Sequence, residues 1–391
     1  MKTKLKGNII TPIRVIENGE VTFEDGKITY VGKAKNDDVC FDVHDYADKY
    51  VSPGFIDLHV HGGNGYDFMD GTEEAFRGVA SFHSLHGTTS MLATALTCDD
   101  SELFNLFDVY EKIEKSGDKG CLYGLHLEGP YFSVSQKGAQ DEKYIKAPTK
   151  EHYEKILEKG GKYIKRWSIA PELDNAMELG RVLKERNILP SIGHSDAEYE
   201  TALEAFENGY THLTHFYSGM STIVRKGGFR HPGLIESGYM IDGLTVEIIA
   251  DARHLPPSLL RYIYKTLGAD KIALVTDALR CAGFESGKMK IGSLQNGYEV
   301  IIEDGVAKLP DRTAFAGSIA TTDKLVRNMM LYASAPITDA VRMATLTPAT
   351  IAGMKNKGVL RPGADADIVV FDGDVNVKDV FISGKQIKKG E

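Results

Sequence analysis

Pro53-Gly-Phe-Ile-Asp-Leu-His-Val-His-Gly62 is the stretch whose reading decides the fold. An apolar run, Phe55-Ile56-Asp57-Leu58, carries into His59-Val60-His61 and stops at Gly62-Gly63, which reads as a buried strand with chemistry at its C-terminal end. Residues i and i+2 of a strand share a face, so both imidazoles point the same way. Neutral imidazole is a common metal ligand, and two side by side at a strand end begin a divalent-metal site. The plain alternative is that one of them is a hydrogen-bonded core histidine, and the rest of the chain has to decide.

Upstream, residues 1 to 52 alternate short apolar runs with turn residues, as in Gly19 to Gly26 followed by Lys27 to Gly32, which is the pattern of β-hairpins. Downstream, short apolar strands alternate with longer amphipathic helices, as in repeated βα units around a parallel sheet. Eight strands are expected at Phe55 to His61, Thr88 to Ala95, Leu122 to Glu128, Trp167 to Pro171, Leu189 to His194, Thr211 to His215, Thr245 to Asp251 and Lys271 to Asp277. Helices are expected at Thr72 to His86, Asp99 to Ser116, Thr149 to Lys159, Asp174 to Asn187, Asp196 to Asn208, Thr321 to Ala333 and Thr338 to Ala344. Eight such units in roughly 250 residues match a (β/α)₈ TIM-like barrel, whose active site lies at the C-terminal strand ends. Hairpin grammar returns after about residue 355. The chain therefore divides into a barrel, residues 53–354, and a small β domain built from both ends, residues 1–52 and 355–391.

Composition narrows the partners. A net charge of -9 argues against nucleic acid and anionic membrane. The N-terminal Met1 to Glu20 lacks the apolar core of a signal peptide, and no run approaches the ~20 apolar residues of a membrane span, so a cytoplasmic location is expected. Cys40, Cys98, Cys121 and Cys281 form no Cys-x-x-Cys and read as buried free thiols.

The strand ends carry a set of groups that bind metals or move protons: His59 and His61, Glu128, His194, His215 and Asp277. A carboxylate with two imidazoles is a known catalytic zinc set, which makes Glu128, His194 and His215 the primary ligand candidates, with His59 and His61 available for a second ion. Asp277 reads either as the N-cap of the next segment or as a general base beside a metal-acidified water. His126 lies one step deeper than Glu128 and is expected to support it, while His212 has opposite parity to His215 and is expected to face away. His44, His83, His86 and His152 are expected to be structural or solvated.

These residues sit within longer matching stretches. Besides the opening one they are Leu125 to Tyr131 (LHLEGPY), Lys137 to Gln140, Ala170 to Glu172, Gly193 to Ala197, Thr214 to Met220, His231 to Leu234, Ala250 to Leu255, Val275 to Ala278 and Ala316 to Ser318. In this order they resemble the N-acetylglucosamine-6-phosphate deacetylases, a branch of the amidohydrolase superfamily. His-Leu-Glu-Gly-Pro is the most specific of them, because it separates this branch from amidohydrolases that use a modified lysine as ligand.

The resemblance implies a metal-dependent (β/α)₈ barrel with a β-sandwich made from both chain ends, usually a homodimer. Glu128, His194 and His215 would hold a divalent ion, zinc or else iron, manganese or cobalt, and Asp277 would be the catalytic acid/base. One or two ions would bind per subunit, according to whether His59 and His61 take a second. The sugar phosphate would lie against Ala139, Gln140, Ser218, Gly219, Arg230, His254, Phe315, Ala316 and Gly317, with Arg230 reaching the phosphate across the dimer interface. Two positions depart from the family pattern: Ser218-Gly219 stands where an Asn-Ala pair is usual, and Ala252 replaces a glycine.

The expected reaction is hydrolysis of the acetamide of N-acetylglucosamine 6-phosphate to glucosamine 6-phosphate and acetate. The metal would polarise the carbonyl, Asp277 would shuttle the proton, and His254 and Gln140 would orient the substrate and stabilise the oxyanion. Three other readings stay open: another N-acetyl hexosamine such as N-acetylgalactosamine 6-phosphate, a different amidohydrolase reaction, and a catalytically dead scaffold.

Overall fold

The computed structural model describes residues 2–35 and 38–388; residues 1, 36–37 and 389–391, all within the expected β domain, lie outside the described residues. Eight parallel strands form one sheet in sequential order: β1 Phe55–Val60, β2 Thr88–Ala95, β3 Leu122–Glu128, β4 Ile164–Ile169, β5 Leu189–Ile192, β6 His212–Leu213, β7 Thr245–Ile248 and β8 Ile272–Leu274. The barrel closes just past β8. There Val60 bridges Ala278, Asp277 N–H donates to the His59 carbonyl (2.8 Å) and His61 N–H to the Ala278 carbonyl (2.9 Å).

The helices start where the sequence supplies caps. Thr72 accepts from Ala75 N–H, Asp99 from Ser101 N–H and Thr149 from His152 N–H, opening Glu73–Leu85, Asp100–Ser116 and Lys150–Gly160. Asp100–Ser116 stops at Gly117, whose φ of 74° is the left-handed conformation that glycine adopts without cost. Their apolar faces bury Phe76, Val79, Leu106, Phe107, Ile113, Ile156 and Leu157 against the outside of the sheet. Each side chain of this size contributes ~1.5–3 kcal/mol by leaving water, which holds the helix layer on the barrel.

Both chain ends enter a separate seven-stranded sheet. Asp42–Pro53 is central to it, pairing in parallel with Thr3–Ile10 and antiparallel with Ile368–Phe371. The pairing with Thr3–Ile10 slips between Lys6 and Asn8. Leu5, Ile9, Val21, Phe23, Val51, Ile368, Val370 and Phe381 form the core of this small β domain.

Three features depart from the sequence expectation. Strands β5 to β8 end two or more residues earlier than expected, so His194, His215 and Asp277 stand on loops just beyond them. A helix, Pro257–Leu267, fills the interval between β7 and β8. Beyond β8 an antiparallel sheet is inserted, with strands Gly287–Ile291, Tyr298–Glu303, Val306–Lys308 and Phe315–Gly317. Its signal was present in the sequence: Asp304-Gly305 between two β-rich runs is a two-residue hairpin turn, and both residues have positive φ.

Candidate metal centre

The barrel interior is charged where such barrels usually stack aliphatic side chains. Arg166 on β4 and Glu247 on β7, both 0% exposed, form an ion pair inside it. Arg166 also donates to Ser191 Oγ (3.0 Å), Thr214 Oγ1 (2.9 Å) and the Leu58 carbonyl (3.3 Å). Burial works against the Glu247 charge, but Arg166 and then His59 outweigh it and hold the carboxyl well below its ordinary range. His126 lies between Ser168 Oγ (2.8 Å) and Thr94 Oγ1 (3.2 Å), and burial, reinforced by Arg166 and His59, pushes its pKa well below the usual imidazole value.

Directly above this network six side chains converge. Glu128 Oε1, His194 Nε2 and His215 Nε2 form a triangle with all three edges at 3.1 Å. His59 Nε2 and His61 Nε2 are 3.2 Å apart, lie 3.4 and 3.2 Å from Asp277 Oδ1, and meet Glu128 at 3.4 Å (Oε1) and 3.3 Å (Oε2). A tetrahedral site with bonds of ~2.0–2.1 Å has ligand-to-ligand edges of ~3.3–3.4 Å, so the spacing of both groups suits a divalent ion. The donor chemistry suits one as well. Carbonyl and carboxylate oxygens only accept, so the Gln136 carbonyl at His194 Nδ1 (2.7 Å), the Ser218 carbonyl at His215 Nδ1 (3.1 Å) and Glu247 Oε1 at His59 Nδ1 (2.8 Å) each place the proton on Nδ1. That leaves three Nε2 lone pairs aimed at the cluster. His61 differs: its Nδ1 is buried and finds no protein partner among the described residues.

Electrostatically the carboxylates are kept ionised. Burial raises the pKa of Glu128, but His59, His194 and His215 overcome it and drive it well below the ordinary range. Asp277 is lowered in the same way, by His59 and His61 against its own burial. Deeper on β1, burial raises the pKa of Asp57 to about 7 despite a 2.5 Å hydrogen bond from the Thr276 hydroxyl.

The backbone explains how loop residues reach the centre. His194 (φ 50°), His215 (φ 29°) and Asp277 (φ 47°) all adopt positive φ, which breaks the strand and turns each side chain inward. Strand parity therefore holds through Thr214, whose hydroxyl meets Arg166, and fails at His215. His212, expected to face away, points into the barrel instead, with Nε2 3.4 Å from Glu247 Oε2 and Nδ1 2.8 Å from Thr245 Oγ1.

A cavity of about 250 Å³ opens over the cluster. It is lined by His61, Glu128, His194, His215 and Asp277, and by Ala139, Gln140, Ser218, Gly219, His254, Phe315, Ala316 and Gly317. Leu96, Gly138, Ile291 and Ala314 line it too; Ile291 and Ala314 come from the inserted sheet segment, of which the sequence reading had placed only Phe315, Ala316 and Gly317 at the pocket. Gln140 donates through Nε2 to Glu128 Oε2 (2.7 Å) and accepts from Thr97 N–H (3.0 Å), so one amide hydrogen is committed to holding the carboxylate. His254 Nδ1 donates to Asp251 Oδ2 (2.8 Å), and its ring meets Phe315 edge-on at 5.1 Å. Arg230 alone of the expected pocket residues stands apart, exposed on a hairpin of Val224–Lys226 and Phe229–His231 and absent from the cavity wall.

Four of the remaining histidines make structural contacts. His83 Nε2 bonds the Gly62 carbonyl (2.9 Å), His152 joins Asp100 to the Tyr131 hydroxyl, His86 contacts Asp323, and His44 packs against Phe381. All four cysteines are free, but they are not uniformly buried as expected, since Cys40 is exposed. Among the described residues no helix is long and apolar enough to cross a membrane.

Comparison with known proteins places this geometry in context. The amidohydrolase family model matches residues 50–387. The N-acetylglucosamine-6-phosphate deacetylase of Bacillus subtilis is 33% identical over 375 residues, covering 94% of this chain and 92% of the relative. The N-acetylgalactosamine-6-phosphate deacetylase of Escherichia coli O157:H7 is 29% identical, with coverages of 86% and 87%. Among solved structures, a mutant N-acetyl-D-glucosamine-6-phosphate deacetylase from Mycobacterium smegmatis in complex with N-acetyl-D-glucosamine-6-phosphate superposes with a TM-score of 0.90 at 27% identity, over 98% of this chain and 99% of the other.

Proposed function

The chain belongs to the amidohydrolase family, in its N-acetylglucosamine-6-phosphate deacetylase branch, and from that premise we propose that it hydrolyses N-acetylglucosamine 6-phosphate to glucosamine 6-phosphate and acetate. The observation that carries the reading is the placement of Asp277: its Oδ1 lies within 3.4 Å of both His59 and His61 at the floor of the cavity, with Glu128 against the same imidazoles. Glu128, His194 and His215 would hold one divalent ion and His59, His61 and Glu128 a second, with Asp277 beside it; Glu128 serves both groups, its Oε1 facing His59, His194 and His215 and its Oε2 facing His61. Zinc suits imidazole and carboxylate donors at tetrahedral spacing. A bound ion supplies Lewis-acid polarisation of the acetamide carbonyl and acidifies a water.

The chain's own groups do the rest. Asp277 keeps Oδ1 toward the imidazoles and uses its other oxygen to take the proton from the attacking water and pass it to the amine nitrogen as the C–N bond breaks. His254, held by Asp251 through Nδ1, presents Nε2 to the substrate, and the remaining amide hydrogen of Gln140 is available to the acetyl oxygen. Phe315, Ala316 and Gly317 would cover the sugar ring, with Ser218, Gly219 and Ala139 beside it. Arg230 supports a homodimer reading: it is exposed on a projecting hairpin beside exposed Val224 and Phe229, so a partner's cavity is the natural target of its guanidinium. The net charge of -9 and the absence of a long apolar helix among the described residues favour a cytoplasmic setting.

The test is acetate release by the zinc-loaded protein from N-acetylglucosamine 6-phosphate, its galacto epimer and both unphosphorylated sugars. Highest kcat/KM on the gluco phosphate supports the reading. Preference for the galacto epimer would assign the altered Ser218-Gly219 wall to that sugar, and no turnover of any would leave a scaffold.

A further inference from the structure

We propose that Glu247, through the Arg166 ion pair, is the positioning residue that makes His59 a metal ligand, so that the charged interior of the barrel tunes ion affinity on the His59 side of the centre. This rests on the reading that His59 Nε2 binds an ion. Glu247 belongs to neither group of donors, and it is 0% exposed on the floor beneath them. Its Oε1 accepts from His59 Nδ1 at 2.8 Å and from His215 N–H at 2.9 Å; its Oε2 takes Arg166, with His212 Nε2 at 3.4 Å.

Two consequences follow from hydrogen-bond chemistry. A carboxylate cannot donate, so the proton of neutral His59 is held on Nδ1 and the lone pair on Nε2 faces Glu128 and Asp277. A negative acceptor behind the ring also strengthens the imidazole as a ligand, and loss of such a partner typically costs 10–100-fold in metal affinity. Arg166 is what keeps that carboxylate in place. Three acceptors, Ser191 Oγ, Thr214 Oγ1 and the Leu58 carbonyl, take hydrogen bonds from the guanidinium and lock it, and it in turn orients Glu247.

His215 reads the same oxygen only through its backbone. Its ring is fixed separately by the Ser218 carbonyl, and His194 by the Gln136 carbonyl. Loss of Glu247 should therefore be selective, weakening the His59 side and sparing the Glu128, His194, His215 side. A side chain needed only for barrel stability would weaken both alike.

The experiment measures Zn²⁺ dissociation constants by competition with a chromophoric chelator, alongside zinc per chain at saturation. His59→Asn identifies the constant that belongs to the His59 side and should lower the stoichiometry from two to one. In Glu247→Gln, whichever way the amide turns it aims N–H at a donor. That same constant should rise at least tenfold while the other changes less than threefold. Because Glu247→Gln leaves Arg166 buried without its counter-charge, the double variant Glu247→Met/Arg166→Met, which removes both charges, is measured in parallel and should show the same selective loss. Unchanged stoichiometry in His59→Asn would overturn the two-ion reading. A normal His59 effect combined with constants within threefold of the parent, or equal weakening of both sides, in the Glu247 variants would overturn the positioning role alone.

Discussion

The two sides of the metal centre are built on different foundations. On one side His194 and His215 stand on loops at positive φ, and each Nδ1 is anchored to a main-chain carbonyl, Gln136 or Ser218. On the other, His59 stands on a regular strand and is anchored to a side chain, Glu247, that itself depends on Arg166. The first arrangement stores backbone strain and cannot be cut by replacing the anchoring residue's side chain. The second is unstrained at His59 but costs the burial of an ion pair, and it can be cut by a single substitution. His61, with no protein partner for Nδ1 among the described residues, is the least constrained imidazole of the four.

Glu128 is the one donor both sides share, so its loss has the largest expected effect. Glu128→Ala should strip both ions and lower kcat/KM by at least about 10³-fold, or about 4 kcal/mol of transition-state stabilisation. Zinc analysis and acetate release check it; full occupancy would mean the donor set is wrong. Asp277→Asn comes next. Asparagine tolerates the left-handed backbone at this position, so the fold should survive, while kcat falls by ~10²–10⁴-fold through loss of the proton carrier. Near-normal turnover would end the assignment.

Chelation separates the sides by stability. Saturating metal stabilises by ~3–4 kcal/mol for each site filled at 100–1,000 times its dissociation constant, so stripping should lower Tm by several degrees. The less constrained His59/His61 side should empty first, giving two steps in a chelator titration followed by calorimetry; a single step would show that the sides are not independent. The smallest effect tests strain at the cavity rim. Ala252 has φ 62° beside Asp251 and His254, and Ala252→Gly should raise stability by up to ~1 kcal/mol, after allowing for the entropy glycine loses on folding. Chemical denaturation measures this, and a lower midpoint would mean the alanine methyl contributes packing that outweighs the strain.

Much of this was legible in the chain itself. Alternation of short apolar runs and amphipathic helices gave the barrel, because a buried parallel strand and a helix covering it each leave a local pattern. β2 and β3 fall at their expected limits, Thr88–Ala95 and Leu122–Glu128. His59, His61, Glu128, His194, His215 and Asp277 were recognisable because ligand-type residues at strand ends are rare by chance, and the structure brings all six together.

What the chain alone did not disclose depends on contacts between distant segments. Arg166 and Glu247 lie 81 residues apart, and each looks like an ordinary charged residue near a strand until closure of the barrel puts one against the other. The inward turns of His194, His215 and Asp277 replace strand parity with loop geometry, and the same break put His212 on the side opposite to its expected one. Sequence determined the architecture and the chemical inventory, because periodicity and residue type are local properties. Tertiary structure decided which imidazole answers to a carbonyl and which to a buried carboxylate, because burial and hydrogen-bond partners exist only once the barrel has closed.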